Sequence, residues 1–117
     1  MAEDWARPVV HWEIQARDIE RITKFYGELF NWTVSDGPLR NFSPGIGAPD
    51  TITGHARQAS EPRVVLYIQV LKLADTIAKA EQLGGKLVRA PFDPGGQPPT
   101  LAWIDDPEGN RIVLVQQ

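Results

Sequence analysis

Polar and apolar side chains alternate without a break over residues 10–16: His11, Glu13 and Gln15 point one way, Trp12, Ile14 and Ala16 the other. A period of two predicts a half-buried strand. The period then changes. Asp18 suits a helix N-cap, where its carboxylate accepts a first-turn N–H. Ile19, Ile22, Tyr26 and Leu29 follow at helical spacing, with Phe25 and Phe30 widening the stripe. Asn31 suits the left-handed position that ends a helix. Trp32–Ser35 reads as a second strand and Asp36–Pro38 as a turn. Over residues 40–62, Pro44, Gly45, Gly47, Pro49, Gly54 and Pro62 interrupt every pattern. The reading there is two short strands, about 41–46 and 51–57, whose register the sequence leaves open. Residues 64–70 predict a strong strand, and about 73–83 a helix with Leu73, Ile77, Ala80 and Leu83 on one side, stopped by Gly84 and Gly85. Lys86–Arg89 reads as a strand and 91–99, with Pro91, Pro94, Pro98 and Pro99, as a loop. Strands over 100–105 and 111–115, around a turn at 106–110, complete the chain.

The order strand-helix-strand-strand-strand therefore occurs twice. Sliding the chain by 54 residues lays 11–34 over 65–88 without a gap, so that Ile14 meets Ile68, Gln15 meets Gln69, Leu29 meets Leu83 and Val34 meets Val88. Composition narrows the picture by exclusion. The 117 residues suit one domain, and 12 Lys+Arg against 15 Asp+Glu give a net charge of −3 with no basic run, which argues against a nucleic-acid partner. No apolar run approaches the roughly 18 residues of a membrane span, and residues 1–8 form a tail unlike a signal peptide. The absence of Cys excludes thiolate metal sites and Cys nucleophiles, and agrees with a cytoplasmic protein.

The stretches His11–Ile14, Arg17–Glu20 and Phe25–Trp32, followed by Tyr67–Val70, Leu83–Lys86 and the turn Asp106–Asn110, resemble the vicinal oxygen chelate superfamily: glyoxalase I, bleomycin-resistance proteins and extradiol dioxygenases. The resemblance covers nearly all of the chain after residue 8. It implies an α+β fold of two βαβββ modules, about 9–58 and 63–117, within one domain over 9–117. The modules would form a pair of half-barrels with mostly antiparallel sheets, outer helices and a cavity between them. It also implies a bacterial-type protein that works as a homodimer.

In the metal-dependent members, four ligands come from the first and last strands of both modules. Carried over, the positions fall on His11, on the strand near 51–57 where His55 is the usual ligand type, on Val65 and on Val113. An isopropyl group cannot coordinate, so the usual metal site is not expected and no cofactor is assigned; His11 and His55 remain the candidate ligands. Catalytic candidates are His11, Glu13 and Tyr67, and the cavity candidates are Gln15, Val65, Gln69, Trp103, Arg111 and Val113. Each has a plainer reading: His11 and His55 as surface histidines, Glu13 and Gln15 facing water, Tyr67 as packing, Arg111 as a surface charge. The expected function is small-molecule binding in the cavity without the usual metal, with no residue pattern deciding whether a reaction follows. The alternatives are a divalent-metal lyase or dioxygenase with a rearranged site on His11, Glu13 and His55, and an antibiotic-sequestering protein.

Overall fold

The computed structural model describes residues 6–43 and 52–116. Its elements, in order, are β1 (Val9–Ala16), α1 (Ile19–Phe30), β2 (Thr33–Val34), β3 (Leu39–Ser43), β4 (Thr53–Gln58), β5 (Arg63–Gln69), α2 (Leu73–Gln82), β6 (Lys86–Phe92), β7 (Thr100–Asp105) and β8 (Arg111–Gln116). This is βαβββ twice, and the fold class is α+β. The chain divides into two compact units, one of His11–Val65 and one of the residues up to Val10 with those from Leu66 onward. The tail is tied to the second of these, since the Gln69 N–H donates to the Pro8 carbonyl at 3.0 Å.

The two units repeat one topology. In one, β1 pairs parallel with β4, and β4–β3 and β3–β2 are antiparallel; in the other, β5 pairs parallel with β8, and β8–β7 and β7–β6 are antiparallel. Two pairings in three are antiparallel, and the helix supplies the crossover that lets first and last strands run parallel. The registers correspond as well. Glu13 sits opposite His55 in one unit and Tyr67 opposite Val113 in the other.

Aromatic side chains fill the first unit beneath α1. The rings of Trp12, Trp32 and Phe42 lie 5.1–5.6 Å apart, and Tyr26 stacks on Trp32 at 5.9 Å. Gly54 is the residue opposite Trp12 on β4, and a Cβ there would fall 2.1 Å from Trp12 Cε2. The indole lies where a side chain would be, and only glycine admits it. The second core is aliphatic: Val70, Leu73, Ile77, Ala102 and Leu114, flanked by Leu87, Ile104 and Ile112.

Several expectations need correction. The expected α1 stripe holds in part: Ile19, Ile22 and Tyr26 are half-buried, but Phe25, Leu29 and Phe30 are more than half exposed, and Thr23, at 5% exposure, is buried instead. Gly27 meets the chain as it leaves the helix, where a Cβ would sit 3.3 Å from the Trp32 carbonyl. Strand β3 starts at Leu39 rather than 41, and residues 44–51, where parts of both expected strands lay, are outside the described residues. Strand β6 runs on to Phe92, so the proline loop is shorter than expected.

Both helices start from a glutamine that ends the last strand of their own unit. The Ile19 N–H donates to Gln58 Oε1 at 3.0 Å, beside the Asp18 carboxylate that accepts from the Arg21 N–H at 3.2 Å. In the second unit Lys72 gives no side-chain cap, and the Leu73 N–H donates to Gln116 Oε1 at 2.6 Å. An uncapped first turn leaves donors without partners, so Gln116 supplies what Lys72 cannot.

Two expected outcomes follow from this packing. Gly54→Ala forces the Trp12 ring out of its seat and lowers stability by about 1–3 kcal/mol in denaturant unfolding. Gln116→Ala costs about 1 kcal/mol, and more than Gln58→Ala, because α1 keeps Asp18 while α2 has no second cap; equal losses would contradict this division of labour.

Candidate functional site

Strands β1 and β4 each carry three polar residues on alternate positions, and parallel pairing brings them face to face. His11 lies opposite Thr53, Glu13 opposite His55 and Gln15 opposite Arg57. All six occupy the side of the sheet away from the Trp12–Phe42 core, because side chains alternate along each strand. Glu13 and His55 are only 4% and 6% exposed.

The contacts form one chain. Thr53 Oγ1 is 2.5 Å from His11 Nδ1; His11 Nε2 is 2.6 Å from His55 Nδ1; His55 Nε2 is 2.7 Å from Glu13 Oε1. The carboxylate also accepts from Gln15 Nε2 at 2.7 Å and from the Arg57 guanidinium through Nε and Nη2, each at 3.3 Å. An ionised carboxylate only accepts, so His55 Nε2 must donate to it. Beyond that bond the directions follow the protonation of the two rings: with both uncharged, His11 donates from Nε2 to His55 Nδ1, and Thr53 donates to His11 Nδ1.

Electrostatics set the state of two of these groups. Burial alone would push the Glu13 carboxyl up, but hydrogen bonds from His55, Arg57 and Gln15 and the Arg57 charge outweigh it and lower the pKa from 4.5 to about 2. Burial, and then the nearby His55, lower His11 from 6.5 to about 4, against a smaller upward pull from Glu13. Near neutral pH, His11 is an uncharged imidazole and Glu13 an anion.

The sequence-predicted residues separate into two groups. His11, Glu13, Gln15 and His55 come together in this network, and His55 is a buried partner of Glu13 rather than a surface histidine. Thr53 and Arg57 were missed, although Thr53-x-His55-x-Arg57 alternates as plainly as His11-x-Glu13-x-Gln15; the surrounding glycines and prolines hid the register of the expected strand. A cleft of about 370 Å³ beside α1 shares only Gln15 with the network and is otherwise lined by residues such as Asp18, Ile22, Phe25 and Pro62.

The other candidates lie in the second unit, apart from Val65, which is 1% exposed within the first. Tyr67 pairs with Val113, Gln69 with Val115, and Trp103 with Val113 from the other side, so these share the face turned from α2. Arg111 is no solvated charge. Its side chain is 17% exposed, its Nε donates to Asp105 at 2.6 Å, and its guanidinium lies 5.6 Å from the Trp103 ring centre, while Arg89 sits 3.5 Å over Phe92.

The donor set does not fit the metal site of the metal-dependent members. Two of its four positions, Val65 and Val113, are buried hydrocarbon at 1% and 3% exposure. At the other two, both ring nitrogens of His55 are engaged, one by His11 and one by Glu13. Among the described residues no group of three or more His, Asp or Glu side chains is placed to hold a metal ion. Among them, too, no helix is long and apolar enough to cross a membrane.

The network carries a stability consequence. Both shifted groups bind protons more weakly in the folded chain than in the unfolded one, so protons favour unfolding. The His11 contribution is complete above pH 6.5 and is lost as pH falls towards 4; that of Glu13 is complete above 4.5 and is lost towards 2. The melting temperature should therefore be level above neutrality and fall from about pH 6.5 downward. In His11→Asn the fall should begin only where the carboxylates titrate; an unchanged profile would show that His11 is not held neutral.

Comparison with known proteins agrees with the architecture. A family model described as a glyoxalase-like domain matches residues 11–115. A "Glyoxylase-like domain-containing protein" of Didymella fabae is 30% identical over 112 residues, covering 87% of this chain and 88% of that protein. A glyoxalase/bleomycin resistance protein/dioxygenase superfamily member from Vibrio splendidus superposes with a TM-score of 0.66 at 13% identity, covering 96% of this chain and all (100%) of that one. The Mn(II)-bound glyoxalase from Novosphingobium aromaticivorans gives a TM-score of 0.64 at 20% identity, over 95% of this chain but 40% of that one. These two show a shared fold. With the family match spanning nearly the whole described chain, this protein belongs to the glyoxalase-like domain family.

Proposed function

We propose that the chain binds a small molecule on the β1–β4 face, with His11 and Thr53 as its polar contacts, and that it does so without a resident metal ion. The observation that carries this reading is the contrast between the two modules. They share one topology and corresponding registers, yet the paired position that holds Glu13 and His55 in the first holds Tyr67 and Val113 in the second. The fold is therefore built without a buried acid and imidazole at this position. Burying them costs solvation free energy, and apolar replacement of a buried ionic group is often neutral or stabilising. A network kept against that cost, and reaching the exposed Thr53 through His11, has a role other than holding the sheet together.

The uncharged His11 and the Glu13–Arg57 pair leave the outer end of the network without a strong charge. That favours an uncharged or singly charged ligand with hydroxyl or carbonyl groups over the large cation of an antibiotic-sequestering groove. The manganese of the Novosphingobium glyoxalase belongs to that protein; here the two valines and the engaged His55 nitrogens argue for metal-free binding.

Thermal-shift screening of small hydroxy- and oxo-compounds should find ligands that stabilise the wild type, with the shift lost in His11→Ala. Elemental analysis of untagged protein should find well below one metal per chain, and Mn(II), Ni(II), Zn(II) and Fe(II) should leave the melting temperature unchanged. One tightly held metal per chain, lost in His11→Ala, would replace this reading with the metal-dependent lyase or dioxygenase.

A further inference from the structure

The hydrogen-bond chain on β1 and β4 has an outer end and an inner end. Thr53, exposed at the start of β4, is the outer end, and the buried Glu13 carboxylate is the inner one. Between them the contacts are unbroken: hydroxyl and imidazole at 2.5 Å, imidazole and imidazole at 2.6 Å, imidazole and carboxylate at 2.7 Å, and with both rings uncharged each donor points inward. A hydroxyl within hydrogen-bond reach of a base, with the base oriented by a further group, is the arrangement that activates a weak nucleophile. Here the orienting group is itself an imidazole held by an acid, which lengthens the relay by one ring but keeps its direction. The Arg57 and Gln15 contacts pin the carboxylate at the inner end.

Resting on the binding reading above, we propose that Thr53 Oγ is a nucleophile and His11 its general base, with His55 and Glu13 as positioning residues, and that the site transfers acyl groups from small activated esters to water. In the first half, Thr53 Oγ bonds to the carbonyl carbon as its proton passes to His11 Nδ1. The imidazolium so formed keeps its Nε2–H on His55, which keeps its own Nε2–H on the Glu13 carboxylate. The carbon–oxygen bond to the leaving group then breaks, and the departing oxygen takes the proton from His11 Nδ1 and leaves as an alcohol or phenol. In the second half, water attacks the acyl-threonine and gives a proton to His11. His11 returns that proton to Thr53 Oγ as the carboxylic acid departs. The sum is ester plus water to acid plus alcohol, and the protein ends as it began. The neutral state of His11 near pH 7 is the one that can accept the proton.

The probe is p-nitrophenyl acetate with the full-length chain. The expected result is a burst of p-nitrophenol approaching one per chain, with the acetyl group on Thr53 by peptide mass spectrometry. Thr53→Ser should keep the burst. Thr53→Val, which has the same shape and no hydroxyl, should lower the acylation rate about 100-fold with an unchanged circular dichroism spectrum. Glu13→Gln tests positioning: the acylation rate should fall with KM little altered. The acid limb of the pH profile should also move to lower pH, because the anion that raises the His11 pKa is gone. A loss of packing alone would not move that limb. An acetyl group found on any residue but Thr53, no acetylation at all, or a Thr53→Val rate equal to wild type overturns the proposal. Ligands that still stabilise the wild type in the thermal-shift screen would leave the binding reading standing when this one fails.

Discussion

The Glu13 carboxylate is the group on which the polar half of this structure depends. It is 4% exposed and must remain satisfied on both oxygens. An unpaired buried carboxylate would cost several kcal/mol, so its neighbours are constrained in turn. Gln15, two residues along β1, and Arg57, opposite it on β4, close one oxygen, while His55 and the Arg57 Nε reach the other. His55 commits its Nε2 proton to Glu13, and with both rings uncharged His11 and the Thr53 hydroxyl then have one direction each. One buried anion thus anchors a run of three other side chains, the farthest of them exposed on β4.

The opposite face of the same two strands is fixed by shape. Trp12 fills the space over Gly54, and Phe42 and Trp32 close around it. That contact and the Glu13–His55 contact lie on adjacent pairs of one register, Trp12 with Gly54 and Glu13 with His55. A slip by one residue would put the indole against a side chain and turn the acid towards the aromatic core. Shape complementarity on one face therefore protects electrostatic complementarity on the other. The second module has the topology without this double constraint: its apolar face is aliphatic, and Tyr67 and Val113 stand where the acid and imidazole would be.

Much of this was legible before any coordinates. Alternation over residues 10–16 revealed the strand and put His11, Glu13 and Gln15 on one side, and the shift of 54 residues revealed the repeat. Asp18 and Asn31 marked the ends of α1 correctly, the latter with φ of 60°. What the sequence hid was set by packing. The inner face of α1 takes Thr23 and Tyr26 and leaves Phe25 and Leu29 exposed, a choice that helical spacing alone does not make. Thr53, His55 and Arg57 alternate as well as any strand in the chain, but Gly54 sits among them, and glycine is a poor strand former when read alone. Its presence is explained only by the Trp12 ring, which is 42 residues away in sequence. Gln58 and Gln116 went unremarked for a similar reason: a residue that caps a helix from the end of another strand carries no local signal.

Those two glutamines also tie distant parts of the chain together. The Leu73 N–H that starts α2 finds its acceptor 43 residues later, on Gln116, and the Ile19 N–H finds one 39 residues later, on Gln58. Disturbing the end of a unit's last strand therefore also takes an acceptor from the helix that precedes it. There α1 keeps Asp18, whereas α2 is left with water. Two copies of one topology thus lean to different degrees on their final glutamine.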